Sequence, residues 1–168
     1  RRLSEKRLAR VPRYLSICAG AWTAFAMYFC ATNRPWSANL CAVEATLAFV
    51  LILIARHRPR TREAIAHLNL FLACSGVVVE SAVSGGFLSN SPVFLTAVGV
   101  LAAHQLGIRA AVGWTIAGVV SMGLAFWGFD PNTTPLLRIP TDLDKILMYL
   151  GVTTLLYTMS HQAERSFE

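Results

Sequence analysis

Charge is what this chain has least of. Asp, Glu, Lys and Arg make up 14% of its 168 residues, where a soluble domain carries about 25%. That scarcity excludes an ordinary solvated surface all round, and with 55% hydrophobic residues it points to a fold whose solvent is partly lipid. Catalytic signatures are missing too. No GxSxG, HExxH, P-loop or paired-aspartate motif occurs, so nothing points to chemistry on an ester, a peptide or a nucleotide. The four cysteines, Cys18, Cys30, Cys41 and Cys74, form no CxxC or Cys/His spacing, so neither a metal site nor a cofactor is expected. No internal repeat or matching pair of broken helices is visible, which argues against an inverted-repeat transporter.

What is present is a series of apolar runs. A helix crosses a bilayer in about 20 residues, and six segments qualify: Tyr14 to Ala31, Ala38 to Ala55, Ala64 to Val83, Pro92 to Leu106, Ile108 to Trp127, and a sixth from Leu143 past Tyr157. The fold class expected is all-α, a polytopic membrane protein of six transmembrane helices. Residues 1–13 form a basic N-terminal segment, 14–157 the membrane domain, and 158–168 the start of a cytoplasmic signalling helix or stalk.

Net charge is +6. A basic balance can mean nucleic acid, but here the basic residues cluster in short segments between the apolar runs. Arg1, Arg2, Lys6, Arg7, Arg10, Arg13, Arg56, Arg58, Arg60, Arg62, Arg109 and Arg165 fall on one side, which makes 12; Arg34, Arg138 and Lys145 fall on the other, which makes 3. Positive residues stay inside. Six spans put both termini on that basic, cytoplasmic side, and no nucleic-acid partner is expected. The opening at Arg1 rather than Met reads as part of something longer. The basic start leads into a full-length span without a small-residue cleavage site, so the first helix is expected to be retained.

Ionisable groups inside a span are functional candidates by default. Glu44 lies about six residues into the second span from the outer side, and Glu80 three or four residues from the outer end of the third. At about 1.5 Å per residue both fall within roughly 10 Å of the surface. Consecutive antiparallel spans can make these carboxylates neighbours, and two close carboxylates in a low dielectric do not both stay ionised. Two readings stand: a Glu–Lys145 pair tying helices together, or a site for a ligand, proton or ion. Lys145, Asn90 and Tyr149 join Glu44 and Glu80 as candidate ligand-binding residues. His67 and Asn69, and His104 with Gln105, sit toward the inner side and are read as interhelical hydrogen-bonding groups.

Small residues let membrane helices approach closely. Gly99, Ala103 and Gly107 recur at four-residue spacing on the fourth span, and Gly113, Ala117, Ser121 and Ala125 on the fifth. They pack either within one bundle or across a homodimer. Cys30 and Cys41 flank one short loop, either as a disulfide or as thiols buried like small hydrophobes. In the tail, Thr153, Leu156, Ser160, Ala163 and Phe167 follow spacings of three and four, a seam for a dimeric stalk.

Residues 82–92, AVSGGFLSNSP, give every residue a turn role. Gly85 and Gly86 can end a helix at positive φ, and Asn90 or Ser91 can cap the next, with Pro92 at its first position. The longer stretch SGGFLSNSPVFLTAVGVLAAHQLGIRAAVGW, through Gly85, Gly86, Ser91, Pro92, Leu106, Gly107 and Arg109, resembles the multi-helix membrane input domains of bacterial sensor histidine kinases, diguanylate cyclases and class III adenylate cyclases. It is also similar to the membrane part of diffusible-signal-factor receptor kinases, and the tail HQAERSFE looks like the helix such proteins send to their output domain. Redox-sensing kinases carry a Gly-Gly-x-x-Asn-Pro-Phe element linked to quinone. Here five residues separate Gly86 from Pro92 and Val93 follows, which sets this chain apart from that element. The resemblance implies a sensor in the bacterial inner membrane, surrounded by membrane lipid. It implies a small lipophilic ligand, and an output domain on the same chain that the last span drives. The competing expectation is a small ion- or proton-coupled transporter or channel subunit using Glu44 and Glu80.

Overall fold

A computed structural model describes residues 2–83 and 94–127. Six helices account for almost all of them: α1 (Arg2–Ala9), α2 (Val11–Ala31), α3 (Pro35–His57), α4 (Arg62–Val83), α5 (Phe94–Gln105) and α6 (Ile108–Trp127). The 3-10 turn Pro59–Thr61 joins α3 to α4. The fold is all-α as expected. The first five expected spans correspond to α2 to α6, with ends shifted by a few residues. The sixth span and the tail seam lie outside the described residues.

One difference is α1. The basic N-terminal segment is a short helix of its own, separated from α2 at Arg10. Pro12 gives the reason. It lacks the N–H that would continue the ladder from α1, and its ring crowds the preceding turn; at the start of α2 neither matters.

Turn chemistry sets the remaining ends. The α2 helix closes with Arg34 N–H on Phe29 O (2.8 Å) and Asn33 N–H on Cys30 O (3.1 Å). Asn33 takes φ 56°, so these bonds form a Schellman cap with Asn in the position usually held by glycine. Pro35 then opens α3. At the other end of α3, Arg62 Nε donates to Ala55 O across 3.0 Å, satisfying one of the carbonyls that a helix end leaves without a partner.

The helices run up and down. Residues Val11, Leu15 and Ala19 of α2 meet Ala48, Leu51, Ile52 and Ala55 of α3, with Ile65 and Ala66 of α4. A second cluster joins Tyr14 and Cys18 to Leu70, Cys74, Val98, Leu101 and Ala111; α5 packs against α2 and α4, and α6 against α4 and α5. The most extensive packing is α2 on α3 and α5 on α6. One end of the bundle gathers α1, the Pro59–Thr61 turn and the Leu106–Gly107 turn; this is the arginine-rich end. The opposite end holds the turn at Asn33.

The outward faces are apolar. Val43, Phe49, Leu53, Phe71, Ile116 and Val119 are all exposed, the reverse of a helix in water. Three helical segments, Val11–Ala31, Pro35–His57 and Pro59–Ala82, are long and apolar enough to cross a membrane, with mean hydropathies of 1.4, 2.2 and 1.5. Phe94–Gln105 and Ile108–Gly123 are shorter apolar helices. The pattern is that of a multi-pass membrane protein.

Candidate functional site

The α3–α4 seam carries both candidate carboxylates. Ser37, Cys41 and Glu44 occupy one face of α3 at spacings of four and three, and all three are buried. Gly76 and Glu80 lie one turn apart on α4. Glu44 and Glu80 are each only 6% exposed. Ser37 Oγ donates to Glu80 Oε1 at 2.9 Å, and the Arg34 guanidinium lies within electrostatic reach of the same carboxylate. A carboxylate taken from water needs such hydrogen-bond and charge partners. Glu44 sits differently. Its carboxylate occupies the space left by Gly76, where an added Cβ would come within 3.0 Å of Oε1.

The two acids therefore share a seam at different levels. Glu44 is seven residues from Ser37, about 10 Å along α3, and Glu80 is four residues from Gly76, about 6 Å along α4. Cys41 lies between them and within electrostatic reach of both. The other proposed partners, Lys145, Asn90 and Tyr149, are outside the described residues.

Beside the seam is a cavity of about 70 Å³ among α2, α3, α4 and α5. Its walls include the aromatic rings of Trp22, Phe25, Phe29 and Phe94, and Glu80 is the carboxylate among its lining residues. Phe25 meets Phe94 edge-on at 5.2 Å and stacks near Phe29 at 6.3 Å. These contacts fix the rings in the favoured offset and T-shaped arrangements. The cavity reaches from Cys18 and Leu101, midway along the bundle, to Phe29 and Glu80 near the Asn33 turn. The Arg34 guanidinium lies 5.9 Å from the centroid of the Phe29 ring, which puts a cation at that rim.

The small-residue stripes divide. Gly99 faces α6: a Cβ there would sit 2.6 Å from Thr115 Oγ1, so it serves packing within the bundle. Ala103 is half-buried. Gly107 is not on the helix at all. It follows the end of α5 with φ +103°, donates to Ala102 O at 3.1 Å, and has the Arg7 guanidinium of α1 where a Cβ would be. Placing it on a helical stripe is corrected: Gly107 is there because the turn needs a left-handed residue. Gly113, Ala117 and Ser121 are exposed among the described residues, and nothing lies within 4 Å of a Cβ at Gly113. Ala125 lies on α6, beyond the side chains the structure describes.

Of the inner polar residues, His67, Asn69 and His104 make contacts between helices, while the amide of the fully buried Gln105 makes no hydrogen bond among the described residues. Trp114 Nε1 donates to His67 Nδ1 at 3.2 Å, Asn69 Nδ2 donates to Cys18 Sγ at 3.8 Å, and His104 stacks on Tyr14 at 5.9 Å. Among the described residues no group of three His, Cys, Asp or Glu side chains converges as a metal site would require. All four cysteines are free thiols: Cys18, Cys41 and Cys74 are buried and Cys30 is exposed. Of the two readings of Cys30 and Cys41, the structure has free thiols rather than a disulfide, with Cys41 buried like a small hydrophobe and Cys30 exposed.

Sequence reasoning found the two acids and missed what surrounds them. Ser37 stands two helical turns before Glu44, and Gly76 one turn before Glu80. Helical spacing from each acid is the signal that identifies both. The cavity walls carry no comparable signal, because they depend on how four helices lean. No known protein family, curated protein or solved structure matches the chain.

Proposed function

We propose that this chain is the membrane-embedded sensor domain of a bacterial signalling protein, with both termini cytoplasmic, detecting a small lipophilic molecule. The observation that supports it most is the cavity: an apolar, aromatic-walled space open to four helices, with a buried, hydrogen-bonded carboxylate at one end. Ligand sites have this make-up, mostly apolar with a few placed polar groups. Occupancy would favour one arrangement of α2 to α5, and a ligand shifts such an equilibrium only through its different affinity for the two states. The segment after residue 142 would carry the difference to a histidine kinase or nucleotide cyclase output domain. The exposed stripe of Gly113, Ala117 and Ser121 on α6 suits close approach of a second copy.

The test joins residue 168 to a histidine kinase core in membranes and follows autophosphorylation against a panel of lipophilic extracts. A response that Phe94→Trp abolishes, by filling the cavity, supports the reading. A kinase core indifferent to every extract overturns it.

A second reading has its own observation: Glu44 and Glu80 lie in one buried seam. Two acids at successive levels suit stepwise passage of protons or cations. Proteoliposomes decide it. Flux lost in both Glu44→Gln and Glu80→Gln supports a transporter, and absent flux in the wild-type chain removes it.

A further inference from the structure

The two buried acids of the α3–α4 seam have very different surroundings. Glu80 accepts from Ser37 at 2.9 Å and has the Arg34 guanidinium within electrostatic reach. Glu44 lies deeper, nine residues from Pro35 and so about 14 Å along α3. It is 6% exposed, and its Oε1 sits where a Cβ on Gly76 would be 3.0 Å away. Among the described residues nothing donates a hydrogen bond to Glu44 and no cation pairs with it. The packed helices supply none at its level. After Arg13, α2 has no Asp, Glu, Lys, Arg or His. Glu44 is the sole such residue of α3 between Arg34 and Arg56, and α4 has none between His67 and Glu80. Its titratable neighbours are the Cys41 thiol, one turn away on α3, and Glu80, one turn beyond Gly76 on α4.

An ionised carboxylate out of water needs a partner, and without one it takes a proton instead. A metal cation needs several oxygen ligands, and among the described residues no group of three His, Cys, Asp or Glu side chains gathers here. A proton needs one carboxyl oxygen. We propose that Glu44 is a proton-binding site, filled at neutral pH, beside an ionised Glu80. The seam then holds one negative charge rather than two, placed at the level of Ser37 and Arg34. Loss of the proton leaves a bare charge against Gly76, so ionisation of Glu44 requires α3 and α4 to part there and admit water. The inference goes beyond the receptor reading and holds without it; within the transporter reading it selects protons over metal cations.

Infrared difference spectroscopy on the full chain in ester-free detergent micelles reads the form of the group directly, since a carboxylic acid has a C=O stretch that a carboxylate lacks. With isotope-labelled glutamate, the wild-type chain at neutral pH is expected to show an acid band displaced by the label. The exposed Glu5 and Glu63 are ionised at that pH and contribute none. Glu44→Gln should abolish the band, and Glu80→Gln should remove carboxylate absorption and keep it. Raising the pH should bleach the band. Over the same range, amides of α3 and α4 around Glu44 and Gly76 should exchange hydrogen faster in the wild-type chain than in Glu44→Gln, which copies the neutral acid and cannot ionise. Absence of a displaced acid band from the wild-type chain overturns the proposal, whether or not either variant folds. A band that survives Glu44→Gln, or that Glu80→Gln abolishes instead, overturns it as well. Bleaching with equal exchange in the two chains overturns the link to helix separation and leaves the proton on Glu44.

Discussion

Ser37 Oγ donates to Glu80 Oε1 across 2.9 Å, joining the first turn of α3 to the last turn of α4. Both residues are buried, so the bond works in a medium that offers no water as a substitute. Ser37→Ala is expected to destabilise the bundle by about 1–3 kcal/mol, the penalty for taking a hydrogen-bond partner from a buried group. Thermal unfolding in micelles reads it as a lowered Tm. In a Glu80→Gln background the same substitution should do less, because the charge-assisted bond is already gone. Equal losses in the two backgrounds would refute the pairing.

Gly76 and Glu44 form a second joint in the same seam, where a Cβ at 76 would come 3.0 Å from Oε1 and 3.4 Å from Cδ of Glu44. The crowding atoms are the far end of a flexible side chain, which can give by a few tenths of an ångström. Alanine also suits a helix better than glycine by about 1 kcal/mol. The two effects oppose and nearly cancel, so Gly76→Ala should change Tm little. Gly76→Leu has no such escape and should lose about 1–3 kcal/mol through overpacking. Glu44→Ala in the Gly76→Leu background should recover part of that loss.

Much of the bundle is legible from hydropathy alone, and the site only in part. Span boundaries came within a few residues because a stretch such as Ala38 to Ala55 admits one solution in lipid, a helix that satisfies its own backbone. Glu44 and Glu80 stand out because a carboxylate in such a helix is costly. Gly107 misleads for the opposite reason. Its spacing from Gly99 and Ala103 imitates a helical stripe, yet α5 ends at Gln105. Only the backbone φ and the position of Arg7 separate a turn glycine from a packing glycine. The cavity is the least legible part, since its walls come from four helices and no spacing within any one of them records the gap.

The Gly107 turn predicts an uneven pair of variants. Its φ of +103° is a conformation that side chains disfavour, at about 1–2 kcal/mol for a substitution, and the Arg7 guanidinium occupies the space a Cβ needs. Gly107→Ala should lower Tm and also loosen α1, seen as faster proteolysis near Arg7 and Arg10. Arg7→Ala should loosen α1 alone and leave the turn intact. The double variant should keep the stability loss of Gly107→Ala, because removing Arg7 clears the space without relieving the backbone. Full recovery in the double variant would show that the collision dominates and the strain does not.

The cysteines test burial and orientation together. Cys30 is exposed near the end of α2, while Cys18, Cys41 and Cys74 are buried, and a thiol must be reached before it can react. In micelles one thiol per chain is expected to react quickly with a charged maleimide, and the other three only after denaturation. Cys30→Ser should abolish the fast phase. The same residue reports the topology argued from the 12-to-3 division of Lys and Arg. The α2 helix starts beside the basic α1 segment and carries Cys30 to the opposite end of the bundle, so with cytoplasmic termini Cys30 faces outward. A membrane-impermeant maleimide added to spheroplasts should label Cys30 before lysis. Labelling that begins only after lysis would reverse the orientation, and would move Glu80 and the Arg34 rim of the cavity to the cytoplasmic side.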